Sequence, residues 1–183
     1  MKLIKSYLHR VFIDGLSGMA LGLFSTLIIG TIIQQIGTFA GGTVGNLIFL
    51  VGKMAAAATC AGIGVGVAYK FKESAMVVLS AATAGLVGGY ASQLLAGTVI
   101  SDSGALVLSG PGEPLGAFLA AYVGIELGHL TSGKTKLDII LTPLVTIGAG
   151  SAVGVLAGPP ISSFMNWLGS LINWGTEQQP FLM

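Results

Sequence analysis

Charge is what this sequence has least of. Only 8% of its 183 residues are Asp, Glu, Lys or Arg, against roughly 25% in soluble globular domains. So few charges cannot cover a surface that faces water on every side, which excludes an ordinary soluble domain. The charges nearly balance, at a net of +1. Nothing builds a basic face, and no nucleic-acid partner is expected. Cys60 is the single cysteine. It has no disulfide partner and no metal-ligand neighbours, and the small-residue run around it predicts a packed thiol. No Ser-His-Asp set and no zinc-type cluster is present, so hydrolase chemistry has no support. Neither a cofactor nor a catalytic activity of the chain's own is expected.

Apolar residues are plentiful instead, at 53% of the chain, with a mean hydropathy of +0.88. Several apolar runs reach the ~20 residues that a helix needs to cross a bilayer. They do not alternate, which excludes a membrane β-barrel. The fold class expected is an all-α polytopic membrane protein with about five transmembrane helices. The spans fall at about residues 15–36, 47–69, 75–100, 115–130 and 138–158. Residues 1–14 place Leu3, Ile4, Tyr7, Leu8, Val11 and Phe12 on one helical stripe and Lys2, Lys5, His9 and Arg10 opposite. That pattern predicts a basic amphipathic helix on the membrane surface. A signal peptide is the alternative reading; Asp14 and the lack of a small-x-small cleavage site speak against it. Residues 159–183 are expected to begin with Pro159-Pro160 ending the fifth span. A second interfacial helix follows, with Trp167 and Trp174 on one face at the water boundary.

The 29 glycines read as close helix packing or broken helices in a membrane. Gly18-x-x-x-Gly22 and Gly150-x-x-x-Gly154-x-x-x-Gly158 have the spacing that lets helix backbones touch. Gly62, Gly64 and Gly66 mark either an unwound, cavity-lining stretch or a groove for a neighbouring helix. In the loop 101–114, the run Ala105-Leu106-Val107-Leu108 is too short to span and fits a re-entrant hairpin. If the N-terminus is cytoplasmic, seven of the eight Lys and Arg residues lie inside, and Lys53 alone lies toward the other side. An odd number of spans, with an ending that turns apolar again at Pro180-Phe181-Leu182-Met183, fits one half of an inverted-repeat protein. A missing C-terminal half or a homo-oligomer would complete it.

Ionisable groups at membrane depth point by default to function, so the stretch from Gly110 to His129 organises the reading. Glu113 lies in the turn Gly110-Pro111-Gly112-Glu113-Pro114. Its carboxylate is either a water-facing loop group, or it binds a polyol or cation on a turn stiffened by proline and opened by glycine. Glu126 and His129, three residues apart, share one helix face. Glu126 either contacts a solute or proton or bonds a neighbouring helix. His129 sits near the end of its span, where a solvated or capping role also fits. One Glu-x-x-His pair without a second set is a weak metal signal, and no metal is expected. Lys53 either snorkels to the interface or pairs with a carboxylate. The run from Gly128 to Thr135 matches G-x-x-x-x-G-K-[ST], but a phosphate loop needs a strand before it. A cytoplasmic turn explains it better.

Three runs carry a family resemblance. Phe12-Ile13-Asp14-Gly15-Leu16-Ser17-Gly18-Met19-Ala20, Gly110-Pro111-Gly112-Glu113-Pro114-Leu115-Gly116 and Gly158-Pro159-Pro160-Ile161-Ser162-Ser163 resemble the EIIC-like membrane proteins of the bacterial phosphotransferase system. Essentially the whole chain resembles the N-terminal half of a typical member. The resemblance implies a permease for a small, sugar-like solute in the bacterial inner membrane, with an EIIB-type subunit as partner. In glucose-type members a G-x-x-E-P segment supplies a glutamate to sugar hydroxyls, which places Glu113, with Gly110 and Gly112, at the substrate. Glu126 and His129 complete the candidate solute-binding set, though His129 matches no family motif. The chain departs from a complete phosphotransferase enzyme in having no EIIA- or EIIB-like soluble domain. An oligomeric channel and a non-transporting sensor or assembly subunit are the competing readings.

Overall fold

The computed structural model describes residues 7–178. Among these the secondary structure is helical, apart from an isolated antiparallel bridge between Ile100 and Leu106. The helices are α1 (Tyr7–Ala40), α2 (Gly42–Ala57), α3 (Thr59–Lys70), α4 (Ala75–Gly89), α5 (Ala91–Leu95), α6 (Pro114–Thr131) and α7 (Asp138–Gln178).

Small residues fix how they pack. The first half of α1 lies on α3, and its second half returns on α2 as a hairpin. A Cβ at Gly18 would lie 2.6 Å from the Gly66 carbonyl oxygen, and one at Gly22 would collide with the Gly62 carbonyl. The glycines of α3 are therefore helical and form a groove, the second of the two readings open in sequence. Helix α3 packs in turn on α4 and α6, and the first half of α7 closes the bundle against both. Gly150 there meets Ala84 and Ala120, Gly154 meets Gly88, and Gly158 meets Ala91. Lipid offers no hydrophobic drive for association, so contact of this closeness holds such a bundle together. Cys60, Ile63, Val67, Val77, Ala117, Ala121 and Ile125 are fully buried at its centre.

Several boundaries differ from those expected. No break separates residues 7–14 from the first span. Helix α1 runs through Asp14 by π-helical turns at Arg10–Gly15 and again at Phe24–Ile28; residues 1–6 lie outside the described part. The expected second span is broken at Ala58, where α2 and α3 meet at 51°. The expected third span ends at Gly89 rather than near 100, because Tyr90 leaves helical geometry at φ −108°, ψ 12°. Pro159 and Pro160 do not stop α7. They remove two backbone donors, yet the helix continues to Gln178, as membrane helices tolerate when their surroundings compensate. The Trp-bearing segment is thus the end of α7, and residues 179–183 lie outside the described part. Among the described residues two helices, α1 and α7, are long and apolar enough to cross a membrane, and the bent α2–α3 pair makes a third if counted as one span. Five crossings are not reached on that criterion, since α4 has only 15 residues.

Candidate functional site

Helix α6 carries the singled-out groups at its two ends. Glu113 precedes its first residue, and Glu126 and His129 sit in its last two turns. Roughly 20 Å of helical rise separates them, so no single site holds all of them.

At the charged end, the start of α1, the turn after α3 and the end of α6 converge. Arg10 Nη2 donates to Glu73 Oε1 at 3.1 Å. His129 Nδ1 lies 2.8 Å from Glu73 Oε2. Arg10 Nε is 3.0 Å from Glu126 Oε1; this contact is an ion pair without hydrogen-bond alignment, since both atoms lack a hydrogen-bonded partner. The guanidinium also stands 4.4 Å over the Phe71 ring. Glu73 is the buried member, with its side chain 4% exposed. Glu126 and His129 therefore do share a face, and each turns to a charge on another element. A cavity of about 280 Å³ opens beside Tyr7, Arg10, Glu126 and His129. Arg10 and Glu73 were not singled out in sequence. The available signal was that Arg10 is the chain's only arginine.

At the other end, the connection Ala96–Glu113 folds back on the bundle as a short hairpin, with Val107 N–H donating to Val99 O at 2.8 Å. Its last residues form a tethered turn. Gly110 and Gly112 have φ of +75° and +76°, a region that glycine enters without strain. Tyr90 Oη donates to Gly110 O at 2.5 Å, and Cys60 Sγ donates to Pro111 O at 3.1 Å. Glu113 N–H donates to Gly89 O at 2.7 Å. A side chain at Gly112 would meet Cys60 Sγ at 2.6 Å, so the turn is pressed against α3. Three backbone groups of the turn are thus bonded, but Glu113 Oε1 is buried without a hydrogen-bond partner. Burial pushes the Glu113 carboxyl above the ordinary carboxylate range, with the backbone amide of Leu115 pulling the other way. Beside this turn lies a cavity of about 270 Å³, walled by α1, by the end of α2 at its break, and by Leu108, Gly110 and Pro111. Glu113 is two residues beyond that wall and does not line it.

Gly128–Thr135 is no phosphate loop. A helix precedes it, and Gly133 N–H donates to Asp138 Oδ1 at 2.9 Å. Among the described residues no three His, Cys, Asp or Glu side chains are placed to share a metal ion.

A glycine-packed bundle with a broken helix pair and candidate membrane spans defines an all-α membrane protein. The family model "Phosphotransferase system, EIIC" matches residues 13–183. The chain belongs to that family, and so to the membrane-embedded, transport components of the phosphotransferase system. No curated protein and no solved structure matches the chain.

Proposed function

We propose that this chain forms part of a permease that moves a small, sugar-like solute across the bacterial inner membrane, and that the solute binds at the turn Gly110–Glu113. The observation that carries the reading is the orphaned Glu113 Oε1 on a turn tethered at Gly110, Pro111 and Glu113. A buried carboxylate oxygen without a partner costs about 1–3 kcal/mol or more, and a solute hydroxyl would relieve that cost. The break between α2 and α3 supports it, because transporters build substrate sites where helices are discontinuous.

Glu126 and His129 take a different role in this account: with Arg10 and Glu73 they clamp the cytoplasmic end. Lys70 ends α3 at that end, and Lys72, Lys134 and Lys136 lie in its turns, which favours a cytoplasmic N-terminus and a face for an EIIB-type subunit. Five crossings, with α4 and α6 as short spans inside the bundle, fit the same orientation.

The test is uptake of radiolabelled hexoses, hexitols and hexuronates into membrane vesicles holding the chain. Glu113→Gln is expected to lower uptake of the transported solute at least tenfold while insertion is unchanged. Undiminished uptake by that variant would remove the proposed site.

A further inference from the structure

Lys53 is the sole charged residue between Asp14 and Lys70. It sits near the end of α2, one turn before the break at Ala58, and it lines the cavity beside the Gly110–Pro111 turn. Among the described residues it has no carboxylate within the 4.0 Å of an ion pair. Two more polar side chains, Thr31 and Gln34 of α1, line the same cavity. Both use donors on their own helix: Thr31 Oγ1 donates to Ile28 O at 2.8 Å, and Gln34 Nε2 donates to Gly30 O at 3.3 Å. That leaves the Thr31 hydroxyl oxygen, the Gln34 carbonyl oxygen and the second Gln34 N–H for the cavity, a set that suits a partner rich in hydroxyl groups, which both donate and accept. Immediately before Thr31 the helix is π-helical over Phe24–Ile28, a local distortion frequent at functional sites. The rest of the wall is Leu27, Ala56, Ala57 and Leu108, so the polar groups stand out against an apolar background.

A lysine with no other role would snorkel to the headgroup boundary. Here it faces a cavity that also offers acceptors and an adjoining glycine turn. From this set we infer that the chain recognises an anionic, polyhydroxylated solute, a sugar acid or sugar phosphate, whose anionic group pairs with Lys53 and whose hydroxyls meet Thr31 and Gln34. This inference rests on the reading that the Gly110–Glu113 turn borders the solute site, and it names the substrate class of that site. Glu113 does not line this cavity, and burial pushes its carboxyl above the ordinary carboxylate range.

The experiment is calorimetric binding to the whole chain in lipid nanodiscs, with glucose, gluconate, glucuronate and glucose 6-phosphate as probes. At least one anion should bind tenfold or more tightly than glucose. Carboxylate and phosphate probes separate the two anion classes. Lys53→Gln should abolish the preference, and Lys53→Arg should keep most of it. Lys53→Met, of similar length and apolar, replaces Lys53→Gln if that variant does not insert. Equal binding of glucose and the anions, or a preference that survives Lys53→Gln or Lys53→Met, overturns the inference. If Glu113→Gln then weakens glucose binding, the solute site stands and only the anion class falls. If no probe binds, both fall.

Discussion

Removing Arg10 should unlock the charged end of the bundle. Among the described residues, Arg10 alone pairs with both Glu73 and Glu126, and Glu73 is almost wholly buried. Breaking a buried pair by deleting one partner costs about 3–5 kcal/mol, because the other charge stays behind unpaired. The Arg10 side chain is 33% exposed, so solvent screens it and the expected loss drops to about 2 kcal/mol. His129, 58% exposed, still touches the other carboxylate oxygen and limits the loss further. Arg10→Met preserves the apolar stem over Phe71 and isolates the charge. Its unfolding, followed by circular dichroism during titration with a denaturing detergent, should shift by about 2 kcal/mol, or roughly 30-fold in the folding constant. Adding Glu73→Gln should recover at least about 1 kcal/mol of that loss, since the neutral amide no longer needs a cation. A loss from Arg10→Met below about 0.5 kcal/mol, or a double variant additive within about 0.3 kcal/mol, would refute the clamp.

Four further outcomes are expected. Gly18→Ala should destabilise by about 1–3 kcal/mol through overpacking, since its Cβ would stand 2.6 Å from both Gly66 O and Val67 Cα. Gly169→Ala, which meets nothing within 4 Å, should be neutral or stabilise by a few tenths of a kcal/mol or more; the same detergent titration reads both. Tyr90→Phe removes the tether to Gly110 O and should cost about 1–2 kcal/mol, with faster proteolysis in the loop 96–113. Burial raises the Glu113 carboxyl, so the folded chain binds that proton more tightly than the unfolded chain. The Glu113 contribution to stability should therefore be fully present below the unfolded carboxylate range and be lost as pH rises through the folded titration. Glu113→Gln should flatten that decline in melting temperature, and an unchanged profile would contradict the assignment.

The membrane class is legible in composition, because so few charges leave no alternative surface. The glycine contacts are legible as well, since four-residue spacing on a helix repeats one face, and Gly18 and Gly22 do touch α3. The break at Ala58 is not legible: it lies in a run of alanines without proline or polar signal. Pro159-Pro160 misleads in the opposite direction, because a membrane helix can carry prolines that would end one in water. The partners of Glu126 and His129 are hidden for another reason. Arg10 and Glu73 are 63 residues apart, and no periodicity in one sequence links them. Glu113 stood out as a charge in a glycine–proline turn, whereas its orphaned oxygen depends on Gly89, Cys60 and Tyr90 arriving from elsewhere.

The placement of the solute at this turn is tested most directly through Cys60, the only thiol in the chain. It is fully buried and bonded to Pro111 O, so its alkylation reports opening of the turn. Saturating transported solute should slow its reaction with a membrane-permeant maleimide several-fold in the unmodified chain and leave the rate unchanged in Glu113→Gln. A Cys60 alkylation rate that the solute does not alter in the unmodified chain would contradict the account.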